Sequence, residues 1–185
     1  MKMRHFLAVL SICVIIVSCV PSIHPLYTAE DIIFDPALLG TWESEDSTYT
    51  YEFITDDSLS YTMIYTEDSV PASFTVHLVL LGSQLFMDLL PDEPENANEF
   101  YKMYLIPTHA ICKATLEEDR LRLDGLDMEW LEEMIEKGEV TIAHEIIEQN
   151  RILLTAPTKD LQALVMQYAD DEEAFARGDE LYRRE

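Results

Sequence analysis

The sequence predicts a mainly β fold of α+β composition: an antiparallel meander that closes into a barrel or a strongly curved sheet, with two flanking helices. Three observations predict it. Apolar residues alternate with polar ones in a series of short segments, short polar turns separate those segments, and only two stretches carry a helical apolar stripe. The series opens at Thr41-Trp42-Glu43. Tyr49, Tyr51 and Phe53 then alternate with Thr50 and Glu52. Leu59, Tyr61, Met63 and Tyr65 repeat the pattern, followed by Phe74, Val76, Leu78 and Leu80, and then by Leu85, Met87 and Leu89. Each run has one apolar face. Asp56-Asp57, Glu67-Asp68 and Leu81-Gly82-Ser83 supply the turns. Strands this close in sequence pair as antiparallel neighbours.

The stretch from Pro91 to Asn98 interrupts the pattern, and its two prolines keep it out of a sheet. Tyr101 to Leu105 reads as a resumed strand. Ile111 to Leu116 pairs with Leu121-Arg122-Leu123 across Glu118-Asp119. Asp127 caps a helix running to about Lys137, with Met128, Leu131, Met134 and Ile135 on one face and Gly138 as its stop. Two strands follow, Val140 to Ile147 and Ile152 to Thr155, turning at Gln149-Asn150. Thr158 caps a second helix that carries Leu161, Leu164, Val165 and Tyr168, and Asp170 to Phe175 adds a short turn of helix. No internal repeat or linker divides the chain, so residues 38–176 are expected to form one domain, preceded by a tether over 19–37 and followed by a frayed tail over 177–185.

The first 18 residues belong to none of this. Lys2 and Arg4 precede an uncharged run containing Leu7, Val9, Leu10, Ile12 and Val14 to Val17. That run falls short of the ~20 apolar residues of an ordinary spanning helix. A basic start, a short apolar centre and a small-residue end mark a signal peptide. The stretch Ile16-Val17-Ser18-Cys19 resembles the export signal of bacterial lipoproteins. That resemblance implies cleavage before Cys19, acyl chains on its sulfur and amine, and a stable membrane anchor, since one chain alone binds only marginally. By the same resemblance, Val20 in place of an aspartate implies the outer more than the inner membrane.

Residues 1–18 hold two of the 12 basic residues and none of the 36 acidic ones, leaving ten against 36, a formal charge of −26. Such a chain is repelled by phosphate backbones, which excludes nucleic acid as a partner. The 167 residues that remain suffice for one sizeable core. Cys13 leaves with the leader and Cys19 carries lipid, so Cys112 has no partner for a disulfide. Its alternation with Ala110, Ala114 and Leu116 makes it a small buried hydrophobe.

Motifs for catalysis and cofactors are missing: no P-loop, dinucleotide glycine pattern, H-E-x-x-H, G-x-S-x-G or CxxC occurs, and no cofactor is expected. The acids of 92–99 are dense enough to interest a hard cation but lack the ligand order and central glycine of an EF-hand, so a solvated loop is expected. No two histidines have a helical metal spacing. His144 lies on the apolar face of Val140, Ile142 and Ile146, as a ligand-contacting imidazole inside the barrel or as a core histidine bonded to backbone. His77 is expected to face solvent and His109 to lie in a loop.

Gly40-Thr41-Trp42 is similar to the first-strand G-x-W signature of lipocalin-like barrels. The resemblance implies an indole plugging one barrel end, and this chain departs from it by its two later helices. Pro25 to Thr28, Leu38 to Glu43 and Leu154 to Gln162 resemble small bacterial envelope lipoproteins of unknown function, a likeness that implies no activity. The ring-bearing residues along the meander either fill the interior or line a site for one small molecule. The expectation is therefore a non-enzymatic, lipid-anchored envelope protein binding a small apolar ligand or envelope component, with Trp42, Tyr51, Tyr61 and His144 as candidate contacts. A structural or assembly protein that binds a partner protein through its surface is the alternative. A hydrolase with dispersed acids ranks last.

Overall fold

A computed structural model describes residues 20–55, 59–94, 96–147, 151–175 and 178–184. Cys19, Asp56-Asp57 and Gln149-Asn150 lie outside the described residues. The meander forms a closed antiparallel barrel of eight strands. These are β3 (Gly40–Ser44), β4 (Tyr49–Ile54), β5 (Tyr61–Glu67), β6 (Val70–Leu81), β7 (Gln84–Pro91), β8 (His109–Leu116), β9 (Arg120–Gly125) and β12 (Asp179–Arg183). Each pairs with the next along the chain as far as β9, and β12 then fits between β9 and β3 to seal the ring. The lipocalin-like barrel expected from Gly40-Thr41-Trp42 is the architecture observed.

The seal corrects the frayed tail expected over 177–185. Asp179, Leu181 and Arg183 alternate inward, and Leu181 is fully buried opposite Ser44 and Leu121. The Arg183 guanidinium lies 4.2 Å from the Trp42 ring centroid. It also donates to the carbonyls of Leu39 (2.9 Å), Glu118 (3.0 Å) and Ala37. A cation on an aromatic face that also satisfies three carbonyls holds a chain end that its polar composition alone would leave loose. Gly40 serves the same junction. It adopts φ +115°, and an added Cβ would meet Arg183 Nη1 at 3.2 Å.

The tether expected over 19–37 is likewise packed into the fold. Val20 and Leu26 are fully buried. β1 (Pro21–Ser22) pairs antiparallel with β8 and parallel with β11 (Arg151–Leu154), while β2 (Ile32–Ile33) pairs with β6. Prolines at 21 and 25 suit this short stretch, where few ladder bonds are required. Asp35 then caps a 3-10 turn (Pro36–Leu38) that sets Leu38 under the barrel.

Two hydrophobic cores share one wall. Trp42, Phe53, Tyr61, Met63, Val76, Leu78, Met87 and Leu121 fill the barrel interior. The outer face of β6–β8 presents Val79, Leu81, Phe86 and Ile111 to a second core. That core is closed by α2 (Met128–Glu136), α3 (Thr158–Gln167), β1 and β11. β6 and β7 therefore bury both faces, which their nearly continuous apolar composition permits. Asp127 caps α2 by accepting from the Trp130 N–H, and Gly138 ends it at φ +72°. At α3 the N-cap is Pro157 and not Thr158, whose hydroxyl instead donates to the Pro25 carbonyl and ties the helix to the N-terminal segment.

Two expected strands are shorter or absent. Val140 to Ile147 is a strand only as β10 (His144–Ile147), because residues 139–143 run along α3. Tyr101 to Leu105 is no strand: Asn98 caps a single turn, α1 (Glu99–Lys102), and an exposed loop follows.

Trp42→Ala is expected to cost ~3–5 kcal/mol in chemical denaturation, because the indole is fully buried and its Nε1–H donates to the Leu38 carbonyl at 2.9 Å. A change under about 1 kcal/mol would show that the ring is not structural.

Candidate functional site

Of the sequence-predicted contacts, Trp42, Tyr51 and Tyr61 share the barrel core and His144 lies apart from them. Trp42 lies toward the Gly40 end of the barrel beneath Arg183. Tyr61 is buried at the same end, where its hydroxyl accepts from the Asp35 N–H (2.7 Å) and donates to the Asp35 carbonyl (3.0 Å) while Phe34 stacks on its ring. Both side chains are thus engaged in closing that end. Tyr51 is the cross-strand partner of Trp42, and its hydroxyl reaches toward the opposite end. His144 is not inside the barrel: it opens β10, at the rim of the second layer, and its Nδ1–H donates to the Ile142 carbonyl at 2.8 Å.

A polar cluster occupies the barrel end opposite Gly40. Asp179 accepts from the hydroxyls of Tyr49 (2.9 Å) and Tyr51 (2.7 Å), one on each oxygen. The Tyr51 and Tyr65 rings lie 5.1 Å apart. Burial, followed by the adjacent Asp179 charge, pushes the Tyr49 and Tyr51 hydroxyls far up from the ordinary tyrosine range. Burial and the Glu67 hydrogen bond push Tyr65 up to about 12. Below this cluster the bulk of Phe53, Met63 and Met87 occupies the interior. Cys112 is buried in the same wall, as its alternation with alanines predicts. The cluster is a neutral phenol lid over a packed core, with hydroxyls committed to a carboxylate.

A second polar group is buried on the outer face of the barrel. Asp88 is fully buried, accepting from the Leu26 N–H at 2.7 Å and from His109 Nδ1–H at 2.6 Å. Tyr27 stacks on His77 at 4.2 Å and meets His109 edge-on at 6.5 Å. His109 is therefore buried in β8 and not in a loop, and His77 is half-buried against Tyr27 instead of fully facing solvent. Both corrections have one cause: the segment over 20–31 covers this face, so residues opposite the barrel interior also face a core. The signal available in the sequence was Asp88 itself, an acid set among Phe86, Met87, Leu89 and Leu90. A buried carboxylate requires partners of this kind. One Asp88 oxygen holds His109 and the other holds the Leu26 N–H, which clamps the N-terminal segment.

A groove of about 270 Å³ lies between residues 139–143 and α3, lined among others by Glu139, Thr141, Asp160, Gln167 and Tyr168. Its walls are mixed polar and apolar and carry two acids. Beside it β10 ends the sheet path, and its outer edge has no partner strand among the described residues. Among the described residues no three His, Cys, Asp or Glu side chains converge as a metal site, and no helix is long and apolar enough to cross a membrane. The described acids of the 92–99 loop are spent locally: Asp92 accepts from Ser73 and Thr75, and Glu93 and Glu99 pair with Lys102.

No family model, curated protein or solved structure matches the chain.

The raised phenols give a pH dependence with a defined sign. A tyrosine whose folded pKa exceeds the ordinary ~10 stabilises the fold fully below pH ~10 and loses that contribution as pH climbs toward the folded value. Denaturation midpoints are therefore expected to hold to pH ~10 and to fall above it, with Tyr65 ionising near 12 by absorbance at 295 nm. Phenols that all titrate near 10 with unchanged midpoints would contradict the buried cluster.

Proposed function

We propose that this chain is a non-enzymatic, lipid-anchored protein of the bacterial cell envelope that acts on a partner protein through its outer surface. The filled barrel carries the reading. Small barrels hold a ligand only where side chains leave room, and here Trp42, Phe53, Tyr61, Met63 and Met87 take up the interior. The tyrosine hydroxyls nearest one mouth are bound to Asp179, and the other end is covered by Leu38 and Arg183. The surface instead offers the edge of β10, unpaired among the described residues, beside the groove along α3. An extended segment adds to such an edge through main-chain hydrogen bonds. Glu139 and Asp160 in the groove, and the strongly acidic chain around it, favour a basic segment. The anchor follows from Cys19 behind its short apolar leader, as the lipoprotein resemblance implies.

Mass spectrometry of protein extracted gently from its host under native conditions tests both parts. The expected species begins at Cys19, carries acyl mass and holds no small molecule. A stoichiometric apolar adduct would overturn the surface reading. A terminus that keeps Lys2 and Arg4 would overturn the anchor.

A further inference from the structure

The groove along α3 has two unlike walls. On one side Asp160, Ala163, Leu164, Gln167 and Tyr168 recur at three- and four-residue steps, so one face of the helix lines it. On the other side residues 139–143 lead into β10. The Thr155 N–H donates to the Ala143 carbonyl at 3.0 Å, which makes that pair the first rung of the β10–β11 ladder. Bonded pairs alternate with unbonded ones in an antiparallel ladder, so β11 takes the main-chain groups of Ala143, Glu145 and Ile147. Those of His144 and Ile146 are left on the outer edge, which has no partner strand among the described residues. The groove carries an acid at each end. Glu139 bonds back to Met134 of α2, whereas Asp160 lies in the first turn of α3, just after the Thr155 that bonds Ala143. Both acids are exposed, and no Lys or Arg lines the groove.

We propose that the groove recognises an extended segment of about five residues, with a Lys or Arg at each end and a small side chain at its centre, about the length of 139–143. The inference rests on the surface reading above and names what that surface selects. Charge sets the ends. A cation near Glu139 and another near Asp160 each gain attraction, while the field of a strongly acidic chain repels anionic segments. The same field disfavours a second copy of the chain, since each copy carries a formal charge of −26 without its leader. Pleating sets the spacing. Alternate side chains of an extended segment share one face, so the first, third and fifth meet α3 while the main chain pairs along β10. Ala163 sets the centre. It is exposed and is the small residue of the helical wall, so the segment comes closest to the helix there. A bulky third side chain would hold the main chain away from the β10 edge.

The test is fluorescence anisotropy of the full chain with the dye-labelled, end-capped peptide Lys-Ser-Ala-Ser-Lys. Glu-Ser-Ala-Ser-Glu reads the charge, Lys-Ser-Trp-Ser-Lys reads the centre, and the first peptide methylated on alternate backbone nitrogens reads main-chain pairing. The first peptide is expected to bind, and the other three to bind about tenfold more weakly or less. Asp160→Asn and Glu139→Gln are each expected to weaken binding about two- to fivefold, a difference that high salt removes. Ala163→Leu, at an exposed helical position, is expected to abolish binding at an unchanged thermal midpoint. Should that midpoint drop, the two acid variants decide. Equal binding of the acidic and basic peptides, or binding that none of the variants changes, overturns this specificity and leaves the surface reading standing. No binding of any of the four peptides overturns both. Dimerisation in sedimentation that Ala163→Leu suppresses would put a second copy in the groove and overturn the proposal.

Discussion

The Arg183 guanidinium over the Trp42 ring is the contact on which the barrel depends. Seven consecutive strands of a meander leave two open edges, here β3 and β9, and open edges are sites of mispairing. β12 removes both at once by pairing with each. A strand of five residues has few hydrogen bonds with which to hold such a position. Arg183 supplies the rest by spreading over the indole and bonding carbonyls from the 3-10 turn, from the residue before Gly40 and from the β8–β9 turn. Gly40 lacks a side chain where that guanidinium must pass. Ring, cation and glycine thus form one junction that joins the first strand, the last strand and the segment leading into the barrel.

The shared wall of β6–β8 transmits that closure to the second layer. Its inner side packs Val76, Leu78 and Met87, and its outer side packs Val79, Phe86 and Ile111. Neither core exists without the strands of the other. The N-terminal segment lies on this wall, held by Leu26, by β1 and by the buried Asp88–His109 pair. A buried hydrogen-bonded pair of this kind contributes little net stability but is costly to leave half-made, so it specifies where the segment sits more than it strengthens the fold.

The meander and α2 were legible because period-2 and 3.6-residue patterns report one buried face directly. Trp42 was legible as a plug through the resemblance of Gly40-Thr41-Trp42 to the first strand of lipocalin-like barrels. The parts that were not legible depend on partners distant in sequence. Asp179-Glu180-Leu181-Tyr182-Arg183 reads as a charged tail until Trp42 and Leu121 are brought beside it. His77 and His109 fall on the solvent face of an isolated barrel, and only the second layer makes that face interior. His144 alternates with Ile142 and Ile146, yet the chain runs along α3 until residue 143, so the alternation continues a strand that has not begun. Tyr101 to Leu105 has strand-like composition but no covering layer, and Asn98 turns it into a helical cap.

The proposed reading sets function on the outside of a barrel filled by its own side chains, where a strand edge unpaired among the described residues, an acidic groove and an apolar loop are presented. That view stands on the closure being real and local to Arg183. Hydrogen exchange read by mass spectrometry on Arg183→Ala beside the native protein tests it most directly. The account predicts that the amides of β3, β9 and β12 lose protection together while β10 and β11 keep theirs; unchanged protection in β3 and β9 would contradict it.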